Sequence, residues 1–230
     1  MCMYFFYFGL WLAVAFVPPL AFAAPRAVMT DRVVAVEAGQ VLHLADHGRT
    51  VFADLAFPDA AAADAWLAEH VLQRTIAINA SEEDRYGRTQ IESDHAEAML
   101  REGVALVMAT RAPPTSWLAA EAEARHAKRG IWSMPDFILT PQTVAQHLHQ
   151  FRVAEGTITR VYTGKSAVYL NFGEDWETDF SITIAGRSKR SFADKLPKLT
   201  AGTRVRVRGM IYEENGPMIR VMRPEQLEIL

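Results

Sequence analysis

Residues 75–103 constrain the fold more than any other stretch of the 230-residue chain. An apolar run, Thr75-Ile76-Ala77-Ile78, leads into Asp84-Arg85-Tyr86-Gly87-Arg88-Thr89-Gln90, and an amphipathic segment, His95 to Glu102, then stops at Gly103. The order is strand, turn, strand, helix. Gly87 permits a positive φ or a close backbone approach. Arg88 projects a planar, permanently charged fork that suits a phosphate or a carboxylate. A solvated arginine on an ordinary turn is the plainer alternative.

The elements around this stretch read in order. Arg32–Val36, Val41–Leu44 and Thr50–Leu55 alternate as strands, with turn signals at Ala38-Gly39-Gln40 and Asp46-His47-Gly48. Asp59 is placed to cap a helix over 60–72, with Trp66, Leu67 and Val71 as its buried stripe. A strand is expected at Ala105–Ala109. After Pro113-Pro114, Thr115 or Ser116 is expected to cap a helix running to about Arg129, with Trp117, Leu118 and Ala122 on its core face and Gly130 as its stop. Trp132 is expected to pack under the barrel.

The pieces Tyr86-Gly87-Arg88, Gly103-Val104-Ala105-Leu106-Val107, Glu121-Ala122-Glu123-Ala124 and Gly130-Ile131-Trp132, in that order and spacing, resemble the staphylococcal nuclease-like (thermonuclease) family. The resemblance spans roughly 33–132. It implies an α+β domain, mainly β: a five-stranded OB-type barrel with packed helices. It also implies phosphodiester cleavage with calcium and two arginines, since a hard cation takes oxygen ligands and arginines stabilise charge building on phosphoryl oxygens. Carried over position by position, that machinery is eroded. Gln40 stands where the family's first calcium aspartate is expected. Val51 replaces the first arginine and Ala56 the second calcium aspartate. Asp59 replaces the glutamate proposed as base. Arg88 alone is kept outright. Asp54 is a nearby carboxylate, but strand alternation does not aim it at the same pocket. The catalytic candidates are Arg88 and Asp59. No resident cofactor is expected, with calcium implied only if the chain is an enzyme. His43 and His47 read as strand and turn, and His147 and His149 diverge on a helix, so neither pair forms a shared metal site.

Residues 136–150 read as a linker, and 151–230 as a second small OB-like barrel. Its expected strands are Phe151–Val161, Ala167–Phe172, Phe180–Ile184, Arg204–Tyr212 and Met218–Val221. The block also resembles a C-terminal extension found on some exported bacterial members of the family. Residues 1–149 hold 11 Lys and Arg against 17 Asp and Glu, whereas 150–230 hold 13 against 10. The nuclease-like half therefore has the wrong sign for a polyanion, and any nucleic-acid contact is more plausible in the second half. There the alternation Thr203-Arg204-Val205-Arg206-Val207-Arg208 makes a strand with one apolar and one basic face. It is open to two readings. One is an exposed edge guarded by charge. The other is a groove for a single-stranded nucleic acid, with Arg204, Arg206 and Arg208 on phosphates and Tyr162, Tyr169 and Trp176 as base platforms.

Residues 1–23 are almost wholly apolar and end in Ala21-Phe22-Ala23, the small–x–small pattern of a cleaved secretory signal. An uncleaved anchor is the alternative. The single cysteine, Cys2, lies in this segment, so a processed chain carries no thiol and no disulfide. The sequence therefore points to an exported protein, periplasmic or secreted, of two domains (24–135 and 151–230), with no stable membrane span once the signal is cut. Its expected partner is a single-stranded nucleic acid or an envelope protein.

Overall fold

The computed structural model describes residues 29–175 and 177–230; the apolar leader and Trp176 lie outside them. In chain order the first half contains β1 (Met29–Glu37), β2 (Val41–Leu44), β3 (Gly48–Phe52), β4 (Leu55–Ala56) and α1 (Ala60–His70). It continues with β5 (Thr75–Glu83), β6 (Thr89–Ser93), α2 (Asp94–Glu102), β7 (Leu106–Val107) and α3 (Thr115–His126). Five strands close a barrel in the order β1-β2-β3-β6-β5. One strand serves two neighbours: Met29–Arg32 of β1 pair with β5, and Val33–Glu37 pair with β2. A register shift between Val33 and Ala35 lets β1 bend between them. Parallel pairing of β3 with β6, Thr50 opposite Thr89, completes the ring.

Local chemistry explains where the helices start and stop. Asp59 caps α1 by accepting from Ala62 N at 3.0 Å. Ser93 caps α2 at His95 N, and Gly103 ends α2 in the left-handed conformation. For α3 the expected cap is absent: Pro114 holds the cap position, Thr115 is already helical, and no side chain caps the turn. The buried face of α3 also differs from the expectation. Trp117, Ala120, Glu121 and Ala124 are buried, while Leu118 and Ala122 are half-buried. Val33, Leu42, Leu67, Ile76, Ile78, Ile91 and Met99 fill the barrel core with α1 and α2.

The second half contains β8 (Ile138–Leu139), β9 (Phe151–Thr157), β10 (Arg160–Thr163), β11 (Ala167–Asn171) and β12 (Ser181–Ala185). Then come β13 (Arg204–Glu213), β14 (Pro217–Val221) and β15 (Leu227–Ile229). Its sheet runs β10-β11-β12-β14-β13-β9-β8, with β15 on β13. β10, at one end of this path, continues directly from β9, next to its other end. β9 and β10 are one bent strand interrupted at Ile158-Thr159, where Ile158 N donates to Thr203 O and Thr159 N to Asn171 O. The ring thus closes through the chain itself. Its wiring repeats that of the first barrel: a shared first strand, and parallel pairing of the third and fifth strands, here β12 with β14. Where the first barrel has α1, the second has short 3-10 turns at Gly186–Ser188 and Leu196–Lys198 flanking the buried Phe192.

Residues 136–150, expected as a linker, contribute to this sheet, because β8 pairs in parallel with β9 through Ile138–Val153 and Leu139–Ala154. Trp132 does not sit under the first barrel alone. It packs with Leu106, Ala124, Ile131, Phe137 and Val153, so its indole lies in the apolar seam between the halves. No helix among the described residues is long and apolar enough to cross a membrane.

The Gly130-Ile131-Trp132 turn lies directly on the end of α2. Ile131 N donates to Gly103 O at 2.9 Å. A Cβ on Gly103 would fall 2.3 Å from Arg129 O, and one on Gly130 would fall 2.3 Å from Gly103 O. Both glycines also have positive φ. Gly103→Ala and Gly130→Ala are each expected to cost on the order of 2 kcal/mol or more. Chemical denaturation checks this, and a midpoint equal to that of the wild type would refute it.

Candidate functional site

In the first barrel the candidate residues come from three places: the β1–β2 turn, the segment before α1, and the turn joining β5 to β6. The first is closed by hydrogen bonds. Gln40 Nε2 donates to Asp64 Oδ1 at 2.9 Å and to Ala60 O at 3.1 Å. The backbone N–H groups of Gly39 and Gln40 reach the same carboxylate at 3.3 and 3.0 Å. Gln40 is 8% exposed, so its amide is a buried latch between the β1–β2 turn and α1. Asp64 spends both oxygens on it.

Before α1, Ala56 offers a methyl group and Asp59 is occupied as the helix cap. Asp54, the alternative carboxylate, turns elsewhere: its Oδ1 accepts from Thr110 N at 2.8 Å and Thr110 Oγ1 at 2.5 Å. In the β5–β6 turn, Arg88 pairs within its own loop. Its Nε donates to Asp84 Oδ2 at 2.8 Å and its Nη2 lies 2.7 Å from the same oxygen. The guanidinium hydrogen-bonded to Asp84 holds that carboxyl below the ordinary aspartate range. Tyr86 is exposed beside it, with Arg88 over its ring at 5.1 Å. The carboxylate partner of Arg88 is thus Asp84.

Residues 44–134 match the family model described as staphylococcal nuclease homologue. The first barrel is a staphylococcal nuclease-like domain. No curated protein matches the chain. The family fold implies a calcium site, and the residues at the matching positions of this nuclease-like domain do not fit one. Calcium requires several oxygen ligands. Position 40 presents amide donors already bound to Asp64, position 56 presents a methyl group, and Asp59 turns into a helix cap. Among the described residues no three His, Cys, Asp or Glu side chains gather as a metal-holding group. The histidines are bound separately, His47 Nδ1 to Asp31 at 2.7 Å and His43 Nε2 to Glu37 at 2.9 Å.

The basic strand β13 has the expected alternation, but a different surface covers it. Val205 and Val207 enter the second core, while Arg204, Arg206 and Arg208 face away from it. That outward side is the seam with the nuclease-like domain. Arg208 is 2% exposed and Glu121 of α3 is 1% exposed on its side chain. Arg208 grips both oxygens of Glu121, at 2.7 and 2.8 Å, and also Glu228 Oε1 and Val107 O at 3.0 Å each. Arg206 pairs with Glu155 and Glu228, and Arg204 with Glu155. The expected phosphate groove is therefore corrected: Arg208 is spent between the barrels with no solvent face, and Arg206 is paired within the second half with Glu155 and Glu228. Arg204 remains exposed on the rim, held by Glu155.

Sequence reasoning missed Glu121 and Glu228, the carboxylates that claim this strand. The one available signal was Glu121 four residues before Arg125, which do meet at 3.4 Å. Burial opposes the charge on Arg208, but Glu121 and Glu228 outweigh it and raise its pKa above the ordinary value. For Glu228, burial pushes the carboxyl up, and Arg125, Arg208 and Arg206 together pull it below the ordinary range.

Of the proposed base platforms, Tyr162 and Tyr169 stand directly opposite each other on β10 and β11, with ring centroids 6.2 Å apart. They stand on β10 and β11, whereas the arginines stand on β13, which pairs with the β9 half of the same bent strand rather than with β10 or β11.

Removing Arg208 leaves the buried Glu121 with only Arg125 at 3.4 Å and Val107 N at 2.8 Å as partners. Arg208→Ala is expected to cost about 3–5 kcal/mol, measured by denaturant unfolding; a loss below about 1 kcal/mol would contradict the clamp. The depressed Glu228 carboxyl adds a pH dependence. Its contribution is present above the ordinary glutamate pKa and is lost as pH falls through the lowered folded value. The stability gap between the native chain and Glu228→Gln is therefore expected to shrink below about pH 4.

Proposed function

We propose that this chain is a staphylococcal nuclease-like protein that binds rather than cleaves, serving as a binding or scaffolding module outside the cytoplasm. The observation that carries this reading is the Gln40–Asp64 latch. At the position where the family needs a carboxylate for calcium, the side chain is a neutral amide bound to an aspartate 2.9 Å away. Restoring a ligand would take more than a small shift of one side chain, because the latch also holds the β1–β2 turn to α1. Arg88 adds support: its fork is already taken by Asp84, and Val51 supplies no second arginine. The partner class we favour is a single-stranded nucleic acid, with an envelope protein as the other candidate.

The test is a gel of a labelled single-stranded oligonucleotide incubated with the purified chain, in calcium and then in chelator. The oligonucleotide is expected to stay intact in both. Calcium-dependent fragments that vanish in Arg88→Ala would overturn the reading and restore phosphodiester cleavage by Arg88 and Asp59. The extracytoplasmic location rests on the apolar leader and its Ala21-Phe22-Ala23 ending. N-terminal sequencing of exported chain is expected to begin at Ala24, and an intact leader on a cytoplasmic product would count against it.

A further inference from the structure

A cavity of about 450 Å³ opens on the outer face of the second barrel, lined by β10, β11, β12, β14 and the turn before β14. Strand register builds it as two rows. Arg160, Asn171, Ser181 and Met218 stand opposite one another across β10, β11, β12 and β14. Two residues along on the same face stand Tyr162, Tyr169 and Thr183. Residues between these rows, such as Leu170, Ile182 and Ile219, point into the core, so the cavity face is the outside of the ring. Glu214 and Asn215, in the turn joining the fourth and fifth strands of this barrel, close one side. The Tyr86-Gly87-Arg88 turn occupies the same place in the wiring of the first barrel.

The groups in this cavity differ in what they can offer a ligand. Tyr162 is 61% exposed, so its ring face is open to a ligand. Asn171 is buried; its Oδ1 accepts from Ser181 Oγ at 3.0 Å, and its Nδ2 has no acceptor among the described residues. Arg160 is exposed and has no carboxylate partner among the described residues, in contrast to Arg204, Arg206, Arg208 and Arg220. Glu214 supplies an acceptor, steadied by Arg220 at 3.3 Å. The cavity therefore combines an aromatic platform, an amide donor, a carboxylate acceptor and a cation with no carboxylate partner among the described residues.

We propose that this cavity binds one nucleotide of a single-stranded nucleic acid. The base lies on Tyr162 and Tyr169, its edge meets the Asn171 amide and the Glu214 carboxylate, and the adjoining phosphate meets Arg160. A π-face is common to all bases, so the platform takes a strand without strong sequence preference. A duplex is excluded because its base faces are already stacked. A neutral sugar would make use of the tyrosines and Asn171 but would leave Arg160 without a counter-charge. The volume lies in the lower part of the range of about 300–1,000 Å³ for ligand pockets, which suits a single nucleotide. The proposal rests on the binding-module reading and names its ligand.

The experiment is fluorescence anisotropy of a fluorescein-labelled oligothymidylate with the full chain in chelator. Tyr162→Ala is expected to weaken binding roughly tenfold, the order of one lost stacking contact. Arg160→Ala is expected to weaken binding and to lower the slope of log affinity against log salt by about 0.7, the loss of one phosphate contact on a single strand. Tyr162 and Arg160 are surface side chains, and thermal unfolding of each variant should match the native chain. Failure of the native chain to bind, or equal binding by Tyr162→Ala and Arg160→Ala, would overturn the proposal. So would binding lost on Arg88→Ala but kept in both cavity variants, which would place the contact on the first barrel. Capture of a neutral oligosaccharide that depends on Tyr162, without capture of oligothymidylate, would assign the cavity to a glycan. Cleavage in calcium would sink the module reading alone, because the cavity variants are scored in chelator.

Discussion

The buried pair of Arg208 and Glu121 is the constraint on which the arrangement of the two barrels depends. A guanidinium taken out of water needs its hydrogen-bond donors satisfied and its charge matched, or it costs several kcal/mol. Here the satisfying groups come from both sides of the seam: Glu121 and Val107 from the nuclease-like half, and Glu228 from β15. Glu121 in turn accepts from Val107 N at 2.8 Å, so the carboxylate also pins β7. The apolar packing of Trp132, Phe137 and Val153 beside it excludes water and lowers the local dielectric. Hydrophobic burial holds the seam together, and the ion pair fixes its register.

Much of the fold was legible in the sequence because short strands and their turns announce themselves. The run Phe151–Val161 read as a single strand, and the structure shows why it was hard to divide: β9 and β10 are one strand shared between two neighbours. The Asp59 cap and the Trp66, Leu67, Val71 stripe were visible because both depend on spacing within one helix. Strand alternation also placed Val205 and Val207 correctly.

Alternation could not say what would cover the arginines opposite those valines. A period of two separates the faces of a strand, but it is silent on whether the polar face meets water or another part of the chain. The answer lay 87 residues away, at Glu121. The same limit hid the latch, since Gln40 and Asp64 are 24 residues apart and nothing local marks either one as a partner. Contacts within a few residues could be read, such as the caps and the αL glycine after α2. Contacts made by folding could not, and these include the Gln40–Asp64 latch and the Arg208–Glu121 pair.

The covalent joint at Ile158-Thr159 bears on how this molecule coexists with its neighbours. An open sheet exposes rows of unpaired N–H and C=O groups that another chain can extend, and proteins often protect such rows with lysine and arginine. This barrel needs little such protection. Its ring is shut by the chain itself, and the splayed ends are overlaid by β8 and β15. The basic residues of β13 are thereby released from guarding an edge. Closure of the ring is what leaves arginine on a central strand available to bind two barrels into one body.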